Sequence, residues 1–383
     1  MLLFYQLSLT AVLGLILLNA CHNLRILKKP LVKGPLPDPP PLVSVLIPAR
    51  NEGRNIARCV KSLLKQDYPR LEILVLDDGS ADRTADIVEE LAKDHPTLKL
   101  IRGRPLPQGW HGKAYACHQL AQAAKGDWFL FTDADTVHSP RSVSSVIGAA
   151  LREGADLLTL LPYCITETFW ERVALPLVSF FFLSYLPIGL ITKSKEPLIS
   201  AALGPFMLFR RDFYFRIGGH AAVRREIVED MGLGRLVKRA GGRLVLMDGT
   251  DVMAVRFYRG WQEIWLGLSK SAFAAFDYSL PPLLGLVAFN FAAFVAPYGF
   301  LAHSLGCGEI TLAGCWLPLA QISIAWAIRL VLAHRFRMSY AMAFLHPLTV
   351  LVGVLISLNS IRWTLTGQGV IWKGRRYRFE SGR

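Results

Sequence analysis

Residues 127–135 read DWFLFTDAD, and residues 71–78 read LEILVLDD. Each is an apolar run that ends in carboxylates, the pattern of a buried strand delivering charge to one rim of a sheet. Outward from these two, VSVLIPA (43–49) reads as another buried strand, LKLIRG (98–103) as a short one and ADLLTLLPY (155–163) as a further one. Helical patterns lie between them at 55–66 (NIARCVKSLLKQ), 81–95 (ADRTADIVEELAKDH) and about 113–125. Ser80 is placed to cap the second helix, and Ser139-Pro140 reads as a helix start with a capping serine and a first-turn proline. Strands separated by helices of this length predict an α/β fold with a mostly parallel sheet.

The chain of 383 residues is 52% hydrophobic and 19% charged, with a formal net charge of +14. A basic chain raises nucleic acid as a partner, but the apolar stretches favour a membrane. Basic residues beside membrane segments mark the cytoplasmic face and bind anionic headgroups. The six cysteines form no CxxC pair and no metal spacing, so they read as reduced thiols.

Residues 2–20 are uncharged and long enough to span; Arg25, Lys28, Lys29 and Lys33 follow. A signal peptide carries its charge before the apolar run, so this one reads as a retained anchor. The chain divides into an anchor (1–24), a basic Pro-rich linker (25–41), a cytoplasmic domain (42–272), C-terminal transmembrane helices (280–361) and a basic tail (362–383). Within the last membrane region 280–305, 310–328 and 339–361 lack Asp, Glu, Lys and Arg. Arg329, Arg335 and Arg337 mark the link between the last two as cytoplasmic, and the tail carries the same mark. Three crossings conflict with that, and 280–305, with Pro281, Pro282 and Pro297, is the candidate re-entrant segment. Residues 173–191 are also uncharged, but a crossing there would separate Asp78 and Asp135 from Asp230. An interfacial or domain-packed segment, bent at Pro176 and Pro187, is expected instead.

The chemistry gathers at acidic sites. Asp77-Asp78-Gly79-Ser80 leaves a strand for a helix, where a carboxylate can accept from a ribose or base, or simply cap. In extended backbone Asp133 and Asp135 would share a side, repel, and invite a cation. Mg2+ or Mn2+ suits such oxygen ligands and bridges to phosphate. Gly109-Trp110-His111-Gly112-Lys113 opens a helix with backbone N–H groups and a lysine, a phosphate-favouring arrangement that is not a P-loop. Glu229-Asp230 enters a helix, as dipole partner or as base. Arg256, Arg259 and Trp261 precede an amphipathic stretch suited to a leaving diphosphate or a bilayer interface.

Taken in order, PARNE (48–52), DDGS (77–80), TDAD (132–135) and VED (228–230) resemble a family 2 glycosyltransferase of the GT-A fold, a Rossmann-like mostly parallel sheet, with an N-terminal anchor and C-terminal transmembrane helices. The resemblance implies that Ala49, Arg50, Glu52 and Asp78 contact the nucleoside, that Lys113 meets the diphosphate, and that Asp133 lies near ribose or phosphate. It implies Asp135 as the ligand of a divalent metal and Asp230 as the catalytic base, with Glu229, Arg256, Arg259 and Trp261 toward acceptor or diphosphate. The family usually carries a Gln/Arg-x-x-Arg-Trp motif, which Gly260 interrupts here. The GWHGK loop, the apolar C-terminal region and WKGRRY are similar to bacterial hopanoid- and carotenoid-associated glycosyltransferases. The expected function is inverting transfer of one hexose, from a nucleotide sugar such as a UDP-hexose to a lipid hydroxyl. The expected location is the bacterial inner membrane, multi-pass with the catalytic domain cytoplasmic. Nucleotide sugar, lipid acceptor and membrane are the expected partners, and nucleic acid is not. A ceramide-type glucosyltransferase, a processive polysaccharide synthase and an inactive sugar-nucleotide-binding scaffold are the alternatives.

Overall fold

The computed structural model describes residues 1–30 and 36–377. Lys33, the first residues of the Pro-rich spacer (34–35) and the end of the basic tail (378–383) lie outside the described residues. The chain forms two compact units: Leu27–Ile165 with Gly189–Phe257, and Met1–Ile26 with Thr166–Ile188 and Tyr258–Arg383.

The described residues of the first unit form ten strands: β1 (Val43–Ala49), β2 (Leu71–Asp77), β3 (Leu98–Arg102), β4 (Trp128–Thr132), β5 (Thr136–His138), β6 (Leu157–Leu161), β7 (Tyr163–Cys164), β8 (Phe206–Arg210), β9 (Leu244–Asp248) and β10 (Met253–Val255). Seven form one sheet in the order β3-β2-β1-β4-β8-β6-β9. All neighbours in it run parallel except β8, which is antiparallel to both β4 and β6. β5, β10 and β7 form a second, small sheet. The apolar residues of β1, β2 and β4 join the Ile56–Leu63 and Ser142–Glu153 helices in one core. Val43 aligns with both Leu71 and Trp128, so the loops after β2 and β4 emerge on either side of the end of β1.

Three local expectations are corrected. Ser80 does not cap the next helix, which starts at Thr84. Asp82 Oδ1 instead accepts the Thr84 N–H at 3.0 Å, and Ser80 Oγ accepts from the N–H of Asn51, a left-handed residue (φ 52°). Ser139 is not a cap either. The helix begins at Ser142, because Gln66 Oε1 reaches across to accept the Val143 N–H at 3.0 Å. Finally, β4 stops at Thr132, so Asp133-Ala134-Asp135 form the turn into β5 and not an extended run. The two carboxylates are therefore not related by strand alternation.

Among the described residues of the second unit four helices are long and apolar enough to cross a membrane: Leu2–Ile26, Leu280–Gly306, Leu312–Arg335 and His346–Leu365. Leu280–Gly306 is interrupted at Val295, ahead of Pro297. Residues 173–188 of this unit are broken into short pieces, Pro176–Phe180 and a π-helical turn at Phe181–Tyr185, and Pro176 opens its helix without breaking it. Carbonyls left open where the π turn ends find donors on the first helix. Asn19 Nδ2 donates to Ser184 O at 2.9 Å, and Asn23 Nδ2 donates to Leu183 O at 2.8 Å and Leu186 O at 2.7 Å.

Candidate active site

The rim beyond β1 and β2 is built by backbone turns. Asp78 is buried, and its N–H donates to Ala49 O at 2.8 Å, closing the end of β2 onto β1. Gly79 takes a positive φ of 67°, which a side chain would strain. The Arg50 guanidinium donates to the carbonyls of Asp78 and, at 3.0 Å, Gly79, so it tacks the two loops together. Glu52 is buried beside them; its N–H donates to Thr84 Oγ1 at 2.8 Å, and its carboxylate accepts from Asn55 Nδ2 at 2.8 Å. Ala49, Arg50, Glu52 and Asp78 thus lie together at the rim beyond β1 and β2.

A second cluster adjoins the turn after β4. Lys113, at the start of the Gly112–Ala123 helix, sets its Nζ 2.8 Å from Asp133 Oδ1 and 3.1 Å from Glu229 Oε1. Glu229 and Asp230 open the Glu229–Arg239 helix, where its dipole favours them. The Gly204 N–H donates to Asp230 Oδ2 at 2.7 Å. A Cβ on Gly204 would lie 3.0 Å from Lys113 Nζ and 3.3 Å from Asp230 Oδ2, so the backbone passes close to both side chains. The His111 N–H donates to Arg224 O at 2.7 Å, which fixes the GWHGK loop against the segment leading into Glu229.

Electrostatics follow from this packing. Burial and then the Glu229 charge push the Asp230 carboxyl up to about 6, against the pull of Lys113 and two backbone N–H groups. Burial alone would lower Lys113, but Asp133 and Glu229 hold it well above its ordinary value. Burial and the adjacent Asp133 push Asp135 up to about 8. Its Oδ1 is buried with no hydrogen-bond partner. An unpartnered carboxylate oxygen beside a second carboxylate fits a divalent cation that takes its remaining ligands from phosphate and water. Among the described residues no group of three His, Cys, Asp or Glu side chains could hold a metal alone.

Arg256 follows β10, and its N–H donates to Asp135 O at 3.4 Å, which brings it beside the acidic turn. Arg259 and Trp261 belong to the other unit. There Gly260, at φ 74°, starts the Gly260–Ala272 helix, and its N–H donates to buried Glu171 Oε1 at 2.9 Å. Trp261 stacks between Trp170 (4.8 Å) and Trp265 (5.5 Å). The interruption of the motif by Gly260 therefore has a local cause, a left-handed helix start.

Sequence reading missed Gly204 and the support beneath the acidic turn. Thr132 Oγ1 donates to Pro205 O at 2.8 Å, and Thr136 Oγ1 donates to Asp133 O at 2.7 Å. His138 Nε2 is 3.1 Å from both hydroxyls, and burial pushes this imidazole down to about 4, so it stays neutral. The Gly204-Pro205 dipeptide before an apolar run is a turn signal that pointed to the loop; nothing local pointed to His138.

Residues 44–232 match the family model for glycosyl transferase family 2. A Staphylococcus aureus (strain MRSA252) protein, 4,4'-diaponeurosporenoate glycosyltransferase, is 25% identical over 341 residues, covering 88% of each chain. The fold is similar to that of PcManGT, a mannosyltransferase from Pyrobaculum calidifontis solved in complex with GDP-Man and Mn2+. That likeness has a TM-score of 0.54 at 20% identity and covers 94% of this chain and 99% of the other. Residues 44–232 are thus a family 2 glycosyltransferase domain of the GT-A fold, and the chain is a glycosyltransferase.

Proposed function

We propose that the enzyme transfers a single hexose, with inversion, from a nucleotide sugar to an oxygen of an isoprenoid-type lipid, at the cytoplasmic face of a bacterial inner membrane. The observation that carries this reading is the gathering of Asp133, Glu229 and Asp230 around Lys113. Arg50, Glu52 and Asp78 bind the nucleoside, a UDP carrier being the expected one. Lys113 sets positive charge against the departing diphosphate, with Arg256 beside the same turn. A divalent cation at Asp135, Mg2+ or Mn2+, would add Lewis-acid charge there when bound. Asp230 takes the proton from an acceptor hydroxyl as that oxygen attacks the anomeric carbon from the face opposite the leaving group, and one displacement inverts the centre. The four apolar helices and the basic residues that follow the first of them support a membrane acceptor.

A second reading of the acceptor comes from the relative's name, in which diaponeurosporenoate denotes a carboxylate. A carboxylate acceptor brings its own negative charge and needs no base. The two readings differ in what Asp230 is for. Product length separates both from a processive synthase, and the lipid formed separates both from a ceramide-type enzyme.

The test is mass spectrometry of membrane lipids from cells with the gene, without it, and with Asp230→Asn. The expected result is a lipid heavier by one hexose in the first alone. Normal product from Asp230→Asn would remove the base and favour the carboxylate acceptor. A polymer, or no change in any lipid, would overturn single-sugar transfer.

A further inference from the structure

Arg329 lies in the Leu312–Arg335 helix and is 4% exposed. Its Nε is buried and finds no hydrogen-bond partner among the described residues. The spans 2–26, 280–306, 312–335 and 346–365 contain no Asp or Glu. Within the same unit Glu171 is engaged by Gly260 and Glu167. His346 is fully buried, and neither of its ring nitrogens has a partner. Phe180 and Phe294 close over its ring at centroid distances of 4.6 and 4.7 Å. The Trp326 and Phe344 rings lie 5.1 Å apart, which brings the helical turn that leads into Arg329 against the segment that leads into His346.

An ionisable group inside a span marks a functional site by default. The Arg329 Nε–H and the imidazole N–H, buried and unmet, each cost free energy until an acceptor arrives. Both lie at one end of a helical hairpin. Arg329 is six residues before Arg335, roughly 9 Å of helix rise. His346 is the first residue of the next long helix, where the dipole also attracts negative charge. That depth is where the charged group of a lipid meets the hydrocarbon.

We propose that Arg329 and His346 receive the oxyanion of a membrane lipid. The guanidinium pairs with the charge, the imidazole N–H donates to one oxygen, and the Phe180 and Phe294 rings keep water out. The oxyanion has two sources of shared chemistry: the phosphodiester of an anionic phospholipid or the carboxylate of an isoprenoid acid. The site does not involve Asp230 or Lys113, so it stands or falls apart from the transfer mechanism.

The test uses the full chain in detergent micelles with matched probe pairs: dioleoyl-phosphatidylglycerol against dioleoylglycerol, and retinoate against retinol. The expected result is binding at least ~10-fold tighter for one anionic member, with a rise in melting temperature. Arg329→Met should abolish that preference and Arg329→Lys retain part of it. A preference for phosphatidylglycerol names a phospholipid; a preference for retinoate names an acidic isoprenoid. Where Arg329→Met yields no folded chain, His346→Phe must reduce the same preference. A wild-type chain that prefers neither anion overturns the proposal, and so does a folded variant that keeps the full preference.

Discussion

Asp230 carries the sharpest residue-scale consequence. As the proposed base it must be ionised to accept a proton, and burial beside Glu229 raises this carboxyl to about 6. Below that pH the protonated fraction grows, so kcat/KM should fall about tenfold per pH unit and level off above it. Asp230→Asn should remove this acid limb along with about 10²–10⁴-fold of activity, while donor binding by calorimetry persists. A flat profile through pH 6 with active enzyme would instead match a carboxylate acceptor. Gly204 is the second such residue. A methyl there crowds Lys113 Nζ, the far end of a flexible side chain, so Gly204→Ala should fold normally yet displace the lysine from its ion pairs. A rate loss of roughly 10–100-fold at unchanged melting temperature is expected. Legibility at this scale split by range. The residues from Ala49 to Asp78 and Asp133 stand in contiguous motifs that register brings to one rim. Gly204 and His138 are set by tertiary contact, and no short-range pattern encodes that.

At the scale of elements, β1 to β4 were legible because each is a continuous apolar run bounded by turn residues. β8 was not read as a strand: it enters antiparallel between β4 and β6 from far along the chain, and local composition does not fix its place. Helix starts failed for a related reason. Ser80 and Ser139 are good local caps, but Asp82 and the distant Gln66 meet those N–H groups in their stead. One start was legible and went unread. Thr168-Phe-Trp-Glu171 has capping-box spacing, with Thr168 Oγ1 donating to Glu171 Oε1 at 2.9 Å. The same carboxylate accepts the Gly260 N–H and so joins two helix starts. Glu171→Ala should therefore lower stability by about 2 kcal/mol, since it strands buried donors. Gly260→Ala meets open space, and only its left-handed backbone costs, about 1–2 kcal/mol. Thermal melting in detergent compares the two, and an unchanged melting point for Glu171→Ala would remove it as the shared cap.

At the scale of the whole molecule the basic clusters must be reconciled with the spans. The sequence reading places the link marked by Arg329, Arg335 and Arg337 and the tail on the cytoplasmic face and seeks the conflict in 280–305; the structure keeps Arg329 and Arg335 within the Leu312–Arg335 helix and leaves Arg337 in the link. Only His346–Leu365 separates that link from the tail, so whether Leu280–Gly306 crosses or re-enters cannot bring them to one face. If all four candidate helices cross and 173–191 does not, parity puts the link on the side of Lys28 and Lys29. The tail then lies opposite, against its own charge, and the positive-inside bias is decided by the clusters nearer the earlier spans. Single cysteines at Met338→Cys and Gln368→Cys, in a chain with its six native cysteines replaced, test this directly. In intact cells a membrane-impermeant maleimide should label position 368 and should reach position 338 only after permeabilisation. Labelling of both positions in the same state would mean that His346–Leu365 does not cross, which would make it a re-entrant segment and leave both basic clusters facing one leaflet.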